Sequence, residues 1–400
     1  MPCVPDTLLR CFCPSLIRRR LFLGFASLLC FTGPASAGSY TLQDLGLVGD
    51  IYAYGINASG QVIGMNRDLA YRTSGLTTTA LGTLGGQFSR PYGINASGQI
   101  VGFSSTPIER RHAFRTSATG LISDAGTDLG TLGGLNDLFS YSSTAYGINA
   151  SGQTIGDSEG EPATYLYRAF RTTANGLVSD AGTDLGSLGG TISNARGIND
   201  SGQTVGYSET GSRPVHAFRT TSTGLISDPG ADIGTFLGGT NSFAYGINAS
   251  GQTVGYSDTG SGSGHAFRTT ANGLVSDPGA DLGTLGGASY AVSINASGQT
   301  VGGFTTAGNV RHAAFIDSTG PMLDLNDLIP SHSGWVLSDA TGINDAGQIT
   351  GDGFRVDGNG LVIGQSAFLL TLALPEPTSI SILLVGGMAM FMRRRRAKRS

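Results

Sequence analysis

The chain has 400 residues, among them 64 glycines, 24 lysines and arginines, and 28 aspartates and glutamates. All four cysteines lie within the first 30 residues, which excludes a disulfide scaffold, a thiolate metal site or a cysteine nucleophile from the rest. Without the ten basic and two acidic residues of its two ends, the chain keeps 14 basic and 26 acidic residues, and this net charge of −12 argues against nucleic acids as partners.

Residues 1–37 predict a secretory signal peptide. Arginines at positions 10 and 18–20 precede eleven apolar residues, and the small-residue sequence Pro-Ala-Ser-Ala ends at Ala37. The apolar stretch is too short to span a bilayer comfortably. A retained N-terminal anchor is the alternative interpretation.

Residues 38–373 repeat one phrase. Gly-Ile-Asn, once Ser-Ile-Asn, returns seven times at intervals of 38, 54, 50, 49, 47 and 49 residues. Self-similarity at such a period is typical of β-propellers and solenoids. The seven asparagines of the phrase are Asn57, Asn95, Asn149, Asn199, Asn248, Asn295 and Asn344. Six of them also match the Asn-x-Ser glycosylation acceptor, which we interpret as an accident of the repeat's turn chemistry.

Each copy contains four short segments that predict β-strands. In the fifth copy they cover residues 245–248, 252–256, 265–269 and 281–287, separated by turns rich in Gly, Asn, Asp and Ser. The Asn-Ala-Ser-Gly link predicts a tight hairpin, because Asn bonds its own backbone and Gly accepts a positive φ.

The phase of the repeat predicts a closed ring. The region opens with a lone fourth segment at residues 40–46 and ends with a copy that holds only the first three. Pairing of that lone strand with the last copy completes an all-β, seven-bladed β-propeller of four-stranded blades and removes an open edge. An open solenoid is the alternative.

The repeat resembles a known family. Gly-Ile-Asn-x-x-Gly-Gln-x-x-Gly, His-Ala-Phe-Arg and Asp-Leu-Gly-x-Leu-Gly-Gly resemble the HAF repeat of predicted extracellular bacterial proteins. The His-Ala-Phe-Arg motif is intact at residues 112–115, 216–219 and 265–268 and altered in the other copies. The resemblance implies an extracellular location, and it implies no catalytic function.

Residues 374–400 predict a sorting tail. Pro375, Glu376 and Pro377 precede a 13-residue apolar stretch and a terminal arginine cluster. This order resembles a PEP-CTERM tail, which implies processing by an exosortase-type membrane enzyme after transient membrane contact through the tail. An ordinary C-terminal anchor is the alternative. Both interpretations place residues 38–374 outside the cytoplasm, with the arginines held inside.

Residues repeated in every copy predict scaffold roles. We expect the repeated isoleucines and phenylalanines to pack between blades, and the repeated arginines and aspartates to pair within each blade. The arginines are Arg115, Arg171, Arg219 and Arg268, and the aspartates are Asp128, Asp184, Asp232 and Asp281. The histidines at 112, 216, 265 and 312 resemble a metal set, but they fall on different blades, so we interpret them as structural.

Candidate site residues are those that break the repeat. His332 and Trp335 lie in a stretch found only in the last copy, and Trp335 is the chain's one tryptophan. They are candidate ligand contacts, with a core role for Trp335 as the alternative. The acidic residues 157–161 offer oxygen ligands for calcium without the spacing of an EF-hand. We find no nucleophile elbow, zinc-protease motif or phosphate loop.

These features predict a non-enzymatic, exported surface or matrix protein associated with extracellular polysaccharide. Its expected partners are the secretion machinery, an exosortase-type enzyme and that polysaccharide. No cofactor and no catalytic residue is predicted. A propeller hydrolase or lyase acting on polysaccharide is one alternative, and a calcium-dependent adhesion module is another.

Overall fold

The computed structural model describes residues 39–45, 51–75, 77–133, 141–160 and 167–373. Within these ranges the secondary structure consists of β-strands and one short 3-10 helix, Leu325–Leu328. The strands form seven small antiparallel sheets, which are the blades of a β-propeller. The predicted signal peptide with Ala37 and the tail with Pro375, Glu376 and Pro377 lie outside the described residues, so both stay predictions.

The blades follow one another along the chain, apart from the first strand. Strand β1 (Tyr40–Asp44) belongs to the last blade. Blades 1 to 3 contain β2 (Ile51–Ile56), β3 (Val62–Asn66), β4 (Leu69–Ser74) and β5 (Thr77–Ala80); β6 (Ser89–Ile94), β7 (Ile100–Ser105) and β8 (Arg111–Arg115); and β9 (Ser143–Ile148), β10 (Thr154–Glu159) and β11 (Tyr167–Arg171).

The remaining four blades have the same order. Blades 4 and 5 contain β12 (Gly189–Ile198), β13 (Thr204–Thr210), β14 (Val215–Arg219) and β15 (Asp232–Gly234), followed by β16 (Ser242–Ile247), β17 (Thr253–Asp258) and β18 (Gly264–Arg268). Blades 6 and 7 contain β19 (Ser289–Ile294), β20 (Thr300–Thr305), β21 (Arg311–Ile316) and β22 (Met322–Asp324), followed by β23 (Trp335–Ile343), β24 (Ile349–Val356) and β25 (Val362–Leu372).

Three blades have a fourth strand reduced to a single bridge. Blades 2, 3 and 5 are three-stranded sheets, and Phe114, Phe170 and Phe267 each form an isolated bridge to an aspartate 14 residues later. In blade 2 the chain turns at this point, where the Asp128 carboxylate accepts a 2.8 Å hydrogen bond from the Gly130 amide and Gly130 has a φ of +68°. Blade 4 makes the same turn at Asp232 and Gly234 and keeps two pairs, so the turn alone does not set the length of the fourth strand.

Strand β1 closes the ring as predicted. It pairs antiparallel with β25 from Tyr40 opposite Leu372 to Asp44 opposite Phe368, and the sheet order is β1-β25-β24-β23. Tyr40 is 4% exposed and lies in the core of blade 7. The closed seven-bladed propeller is therefore confirmed, and the open solenoid is excluded.

The repeated asparagines form a second closure around the axis. Each side chain accepts the amide of its own hairpin, as Asn57 Oδ1 does from Gln61 N at 3.0 Å. Each Nδ2 also donates to the backbone carbonyl of the next asparagine in the chain, as in the bond from Asn57 to Asn95 O at 3.2 Å. The last bond returns from Asn344 to Asn57 O at 3.1 Å. These side chains are 3–5% exposed, so the amide nitrogen that a glycan would need is buried and already bonded.

The core lies between neighbouring blades, as the repeated phenylalanines predict. Phe114 of blade 2 is fully buried and packs in one cluster with Ile63, Ala70 and Leu81 of blade 1. The repeated isoleucines join these clusters from their inner edge, and they also line the channel along the propeller axis.

The predicted pairing of arginine with aspartate within each blade is wrong. The Arg171 guanidinium reaches into the next blade and donates to Gly202 O at 3.0 Å and Gly224 O at 3.2 Å. In three blades the partner of the aspartate is instead the third-strand histidine, as in the 2.9 Å contact between His112 Nδ1 and Asp128. In blade 3 an arginine stands at the histidine position, and Arg168 Nε lies 3.4 Å from Asp184. Successive strand residues point to opposite faces, so Arg115 and Asp128 cannot share a face when Phe114 is the residue opposite Asp128.

Candidate functional site

Seven inner strands surround a channel whose two ends differ in composition. A ring of isoleucines divides the channel into cavities of about 250 Å³ and 230 Å³. The first is lined by the asparagines and small residues of the repeated turns, and the second by glycines and by residues that differ between blades. The second end therefore carries the residues that distinguish one blade from another, and we call it the variable mouth.

Three sets of seven equivalent positions define the variable mouth. The residues just before each Gly-Ile-Asn phrase, or its Ser-Ile-Asn form, are Tyr54, Tyr92, Tyr146, Arg196, Tyr245, Val292 and Thr341. Two positions earlier lie Tyr52, Arg90, Thr144, Asn194, Phe243, Tyr290 and Asp339. Their cross-strand partners are Met65, Phe103, Asp157, Tyr207, Tyr256, Gly303 and Asp352.

A β-bulge in every blade directs the first set of residues toward the axis. In blade 5 the register shifts between Ala244 and Gly246, so Tyr245 has no partner on β17. The same shift falls at the equivalent position of the other six blades. A bulge bends the strand and re-aims a side chain, which is why bulges are common beside functional sites.

Aromatic side chains follow one another around part of the variable mouth. The Tyr92 ring lies 5.4 Å from the Tyr54 ring and 5.0 Å from the Tyr146 ring, centroid to centroid. The Arg196 guanidinium carbon lies 3.8 Å from the Tyr146 centroid and 5.4 Å from that of Tyr207. Such cation–π contacts hold the arginine over the aromatic faces. The mouth thus presents rings and hydroxyl groups together.

Two polar atoms in this region lie buried without a hydrogen-bond partner among the described residues. They are Arg196 Nε and Asn194 Oδ1, one donor and one acceptor on the same strand of blade 4. Buried polar groups of this kind are rare in proteins and call for a partner. A hydroxyl group satisfies both kinds, because it donates and accepts.

Two buried carboxyl groups lie behind the rings. Asp157 is 4% exposed and accepts from Asn194 Nδ2 at 3.1 Å; burial raises its pKa to about 6, against the opposing effect of the Arg196 charge. Asp352 is 9% exposed and accepts from the Ala53 amide of blade 1 at 2.8 Å. Burial raises the pKa of Asp352 to about 7. Its cross-strand partner Asp339 also has a pKa raised by burial.

An open cleft lies between blades 5 and 6 at the variable mouth. Its cavity volume is about 510 Å³, and we call it the 5/6 cleft. The lining residues are Tyr245, Tyr256, Ala288, Ser289, Tyr290, Val292, Thr305 and Arg311. Arg311 forms an ion pair with Asp339 at 2.8 Å and donates from Nε to the Tyr290 hydroxyl at 2.8 Å. The Tyr290 hydroxyl in turn donates to Asp339.

The two candidate ligand contacts, Trp335 and His332, lie in different environments. Trp335 is 9% exposed and packs edge-on against Phe368 at 6.4 Å, within the core of blade 7. Its ring therefore faces the core rather than a ligand. His332 is exposed in the loop before β23, where its Nδ1 lies 3.1 Å from the Ser331 hydroxyl.

The repeated histidines and part of the acidic stretch lie in strands. Asp157 and Ser158 belong to strand β10 and are buried, whereas Glu161 lies outside the described residues, so the calcium hypothesis for residues 157–161 stays a prediction. Each of His112, His216 and His265 pairs with the aspartate of its own blade. No group of three or more metal-ligating side chains occurs among the described residues. None of the helical structure described is long and apolar enough to cross a membrane.

The variable mouth was not predicted, although the sequence contains a signal for it. The residue before each copy of the phrase is Tyr in four copies and Arg, Val or Thr in the others. A position that varies among tyrosine, arginine, valine and threonine, beside an Ile-Asn pair that does not vary, is the signal that points to a site.

The fold and the mouth together define a seven-bladed β-propeller with a chemically distinct axial end. No protein-family model matches the chain, and no curated protein does. Among solved structures, the chain is similar to a candidate oxidoreductase (glucose dehydrogenase) of Thermus thermophilus, with 10% identity, a TM-score of 0.40, and coverage of 83% of this chain and 99% of that one.

Two further solved structures are similar at comparable levels. One is the extracellular domain of a candidate one-component system of B. thetaiotaomicron, with 9% identity, a TM-score of 0.43, and coverage of 84% of this chain and 40% of that one. The other is the WD40 domain of SCAP from fission yeast, with 8% identity, a TM-score of 0.34, and coverage of 83% and 98%. The assignment of the fold rests on the blades and their closure, and no function is transferred from these proteins.

Proposed function

We propose that this chain is an exported, non-enzymatic extracellular protein that binds polysaccharide at the variable mouth. The observation that carries the proposal is the series of four tyrosines and Arg196 that the bulges direct to one end of the axis. The C–H faces of a sugar ring pack on aromatic faces, while its hydroxyls need donors and acceptors of the kind that tyrosine hydroxyl groups and an arginine side chain supply. Ligand sites combine apolar and aromatic walls with a few placed polar groups in this way.

The location is proposed from the two ends of the chain. Residues 1–37 have the order of a secretory signal, and the tail from residue 374 resembles a PEP-CTERM tail processed by an exosortase-type enzyme. An exported propeller beside extracellular polysaccharide is consistent with a mouth built to bind sugar rings. The tail would release the propeller or re-anchor it at the cell surface.

The second candidate function is a polysaccharide hydrolase or lyase. Asp339 and Asp352 face each other across two strands, and burial raises the pKa of both, as acid–base catalysis requires of one carboxyl of a pair. Against this, Asp352 is 9% exposed and is engaged by the Ala53 amide. A catalytic acid needs to reach the glycosidic oxygen, so binding alone is the function that the geometry favours.

The test uses residues 38–374, which contain every described strand, incubated with extracellular polysaccharide of the source organism. We expect cosedimentation without release of reducing or unsaturated ends. Tyr92→Ala removes the ring between two others and should weaken binding about tenfold, or ~1.4 kcal/mol. Tyr167→Ala, at an exposed tyrosine of β11 outside the mouth, is the matched control and should bind as the wild type does.

Each other outcome has a defined meaning. Release of chain ends would make the protein an enzyme and replace the proposal by its alternative. Binding that a chelator abolishes and calcium restores would indicate the adhesion module. Absence of cosedimentation in every condition would refute the polysaccharide-binding function.

A further inference from the structure

We propose that the 5/6 cleft is a subsite for one neutral pyranose unit of a saccharide chain. This inference rests on the proposed function and makes it more specific, since it names both the place and the charge class of the sugar. The cavity of about 510 Å³ falls within the range of small-molecule pockets, roughly 300–1,000 Å³. It opens at the variable mouth, so a polymer can continue from it toward the axis.

The walls of the cleft are aromatic rings that are held in place. Tyr256 stacks on Phe243 with a centroid distance of 5.1 Å and an angle of 2° between the planes. Tyr290 is fixed through its hydroxyl by Asp339 and Arg311, and the Arg311 guanidinium carbon lies 4.9 Å from its centroid. Side chains already fixed in this way lose little freedom when a ligand binds.

The cleft exists because blade 6 carries small residues where other blades carry large ones. Val292 occupies the position of Tyr54, Tyr92, Tyr146 and Tyr245. Gly303 occupies the position of Phe103, Tyr207 and Tyr256 in the cross-strand set. A Cβ on Gly303 would lie 2.2 Å from the Tyr290 hydroxyl, so only glycine leaves room for that ring.

The electrostatics of the cleft favour an uncharged sugar. Among the described residues that line it, the one charged side chain is Arg311, and the Asp339 carboxylate neutralises this charge at 2.8 Å. The Arg311 side chain nevertheless stays 59% exposed, beside an Asp339 side chain that is 21% exposed. A donor next to an acceptor suits the two adjacent hydroxyls of a pyranose. A uronate carboxylate would meet a guanidinium that is already paired.

The experiment titrates the protein with cellohexaose, maltohexaose, laminarihexaose and hexagalacturonate, followed by NMR or calorimetry. At least one neutral hexasaccharide should bind, and hexagalacturonate should bind at least tenfold more weakly than the best of them.

Val292→Tyr fills the cleft with the side chain that four other blades carry, and it should weaken the binding of the neutral hexasaccharide tenfold or more. Arg311→Gln, at an exposed side chain, should weaken the binding of the neutral hexasaccharide about threefold to tenfold. This variant tests the subsite if Val292→Tyr fails to fold. Val310→Tyr is the matched control in the same blade, at a valine that is 52% exposed in a turn, and it should leave affinity within twofold of the wild type.

The outcomes separate this inference from the proposed function. Neutral binding that is unaffected by both Val292→Tyr and Arg311→Gln, or a preference for hexagalacturonate, overturns the subsite. Polysaccharide cosedimentation without any hexasaccharide binding overturns the subsite and leaves the proposed function standing. A third outcome is that a hexasaccharide binds, that Val292→Tyr abolishes this binding, and that the polysaccharide does not cosediment. This outcome supports the subsite and refutes polysaccharide binding as the function.

Discussion

At the scale of single residues, Asp352 places a titratable group between the first and last blades. Burial raises its pKa from 3.8 to about 7, so the folded protein holds this proton more tightly than the unfolded chain does. The resulting contribution to stability is fully present below about pH 4 and is lost as the pH rises through about 7. The burial of this carboxyl group therefore makes the propeller less stable as the solution becomes less acidic, although the hydrogen bond from Ala53 favours the charged form.

We expect Asp352→Asn to be more stable than the wild type at pH 8, by on the order of 1–3 kcal/mol, and similar to it at pH 4. The asparagine Oδ1 keeps the bond from the Ala53 amide and carries no charge that needs hydration. Urea unfolding at pH 4, 6 and 8 measures this. Asp68→Asn, at an exposed aspartate in the turn between β3 and β4, is the control. An equal effect of both substitutions at all three values would show that Asp352 is not the group responsible.

At the scale of strands, the bulge before each Gly-Ile-Asn phrase requires a glycine on the neighbouring strand. In blade 5, a Cβ on Gly255 would lie 1.9 Å from the backbone carbonyl oxygen of Phe243 and 2.8 Å from the Phe267 ring. The equivalent glycines of the other six blades lie equally close to a carbonyl oxygen, at 1.9–2.1 Å. The glycine of the second strand thus allows the bulge that points a side chain into the mouth.

Gly255→Ala should therefore destabilise the propeller by about 3 kcal/mol or more, because the contact is with backbone and cannot be relieved by a side-chain rotation. Gly358→Ala is the control, since a Cβ there meets no atom within 4 Å. Thermal unfolding of both variants measures the difference. Equal melting temperatures would show that the bulge adapts to the added methyl group.

The strands themselves could be predicted where the repeat is regular. The hairpin at Asn248 could be predicted from the residues of its turn. The closing strand at residues 40–46 could be predicted because a lone fourth segment precedes the first copy and the last copy lacks one. The start of β16 was not: the strand begins at Ser242, three residues before the predicted segment, in the part that differs between blades. The fourth segments of blades 2, 3 and 5 also look like strands in sequence, yet each of them forms a single bridge to the third strand.

The site could not be predicted from the repeat for a physical reason. Side chains such as Arg196 and Tyr146 come from copies about 50 residues apart and meet because neighbouring blades pack side by side. Trp335 was a candidate ligand contact because it is the one tryptophan, with a core role as the alternative, and the structure places it in the core. The predicted pair of Arg115 and Asp128 is wrong because adjacent residues of a strand face opposite sides of the sheet.

At the scale of the whole molecule, β1 is the one strand among those described that pairs with a partner far away in the sequence. Its removal leaves β25 as an open edge and uncovers the side chains that Tyr40 and Leu42 bury. We expect deletion of residues 39–45 to lower the melting temperature by several degrees and to produce soluble oligomers in size-exclusion chromatography. Thr41→Ala, at an outward-facing residue of the same strand, is the control and should stay monodisperse with a melting temperature close to the wild type. A deletion variant that melts like the wild type would show that the strand does not hold the ring.

The same strand sets an order of events during biosynthesis. A ribosome makes β1 before the other described strands of the propeller and makes its partner β25 last. Tyr40 can therefore pair with Leu372 only when synthesis of the propeller is almost complete. Six blades can form as the chain lengthens, but the seventh has no complete sheet until nearly the whole chain exists. Until then β1 is an unpaired strand with an exposed tyrosine. Closure is thus the final step of folding, and premature capture of β1 by another chain is the specific error that this architecture has to avoid.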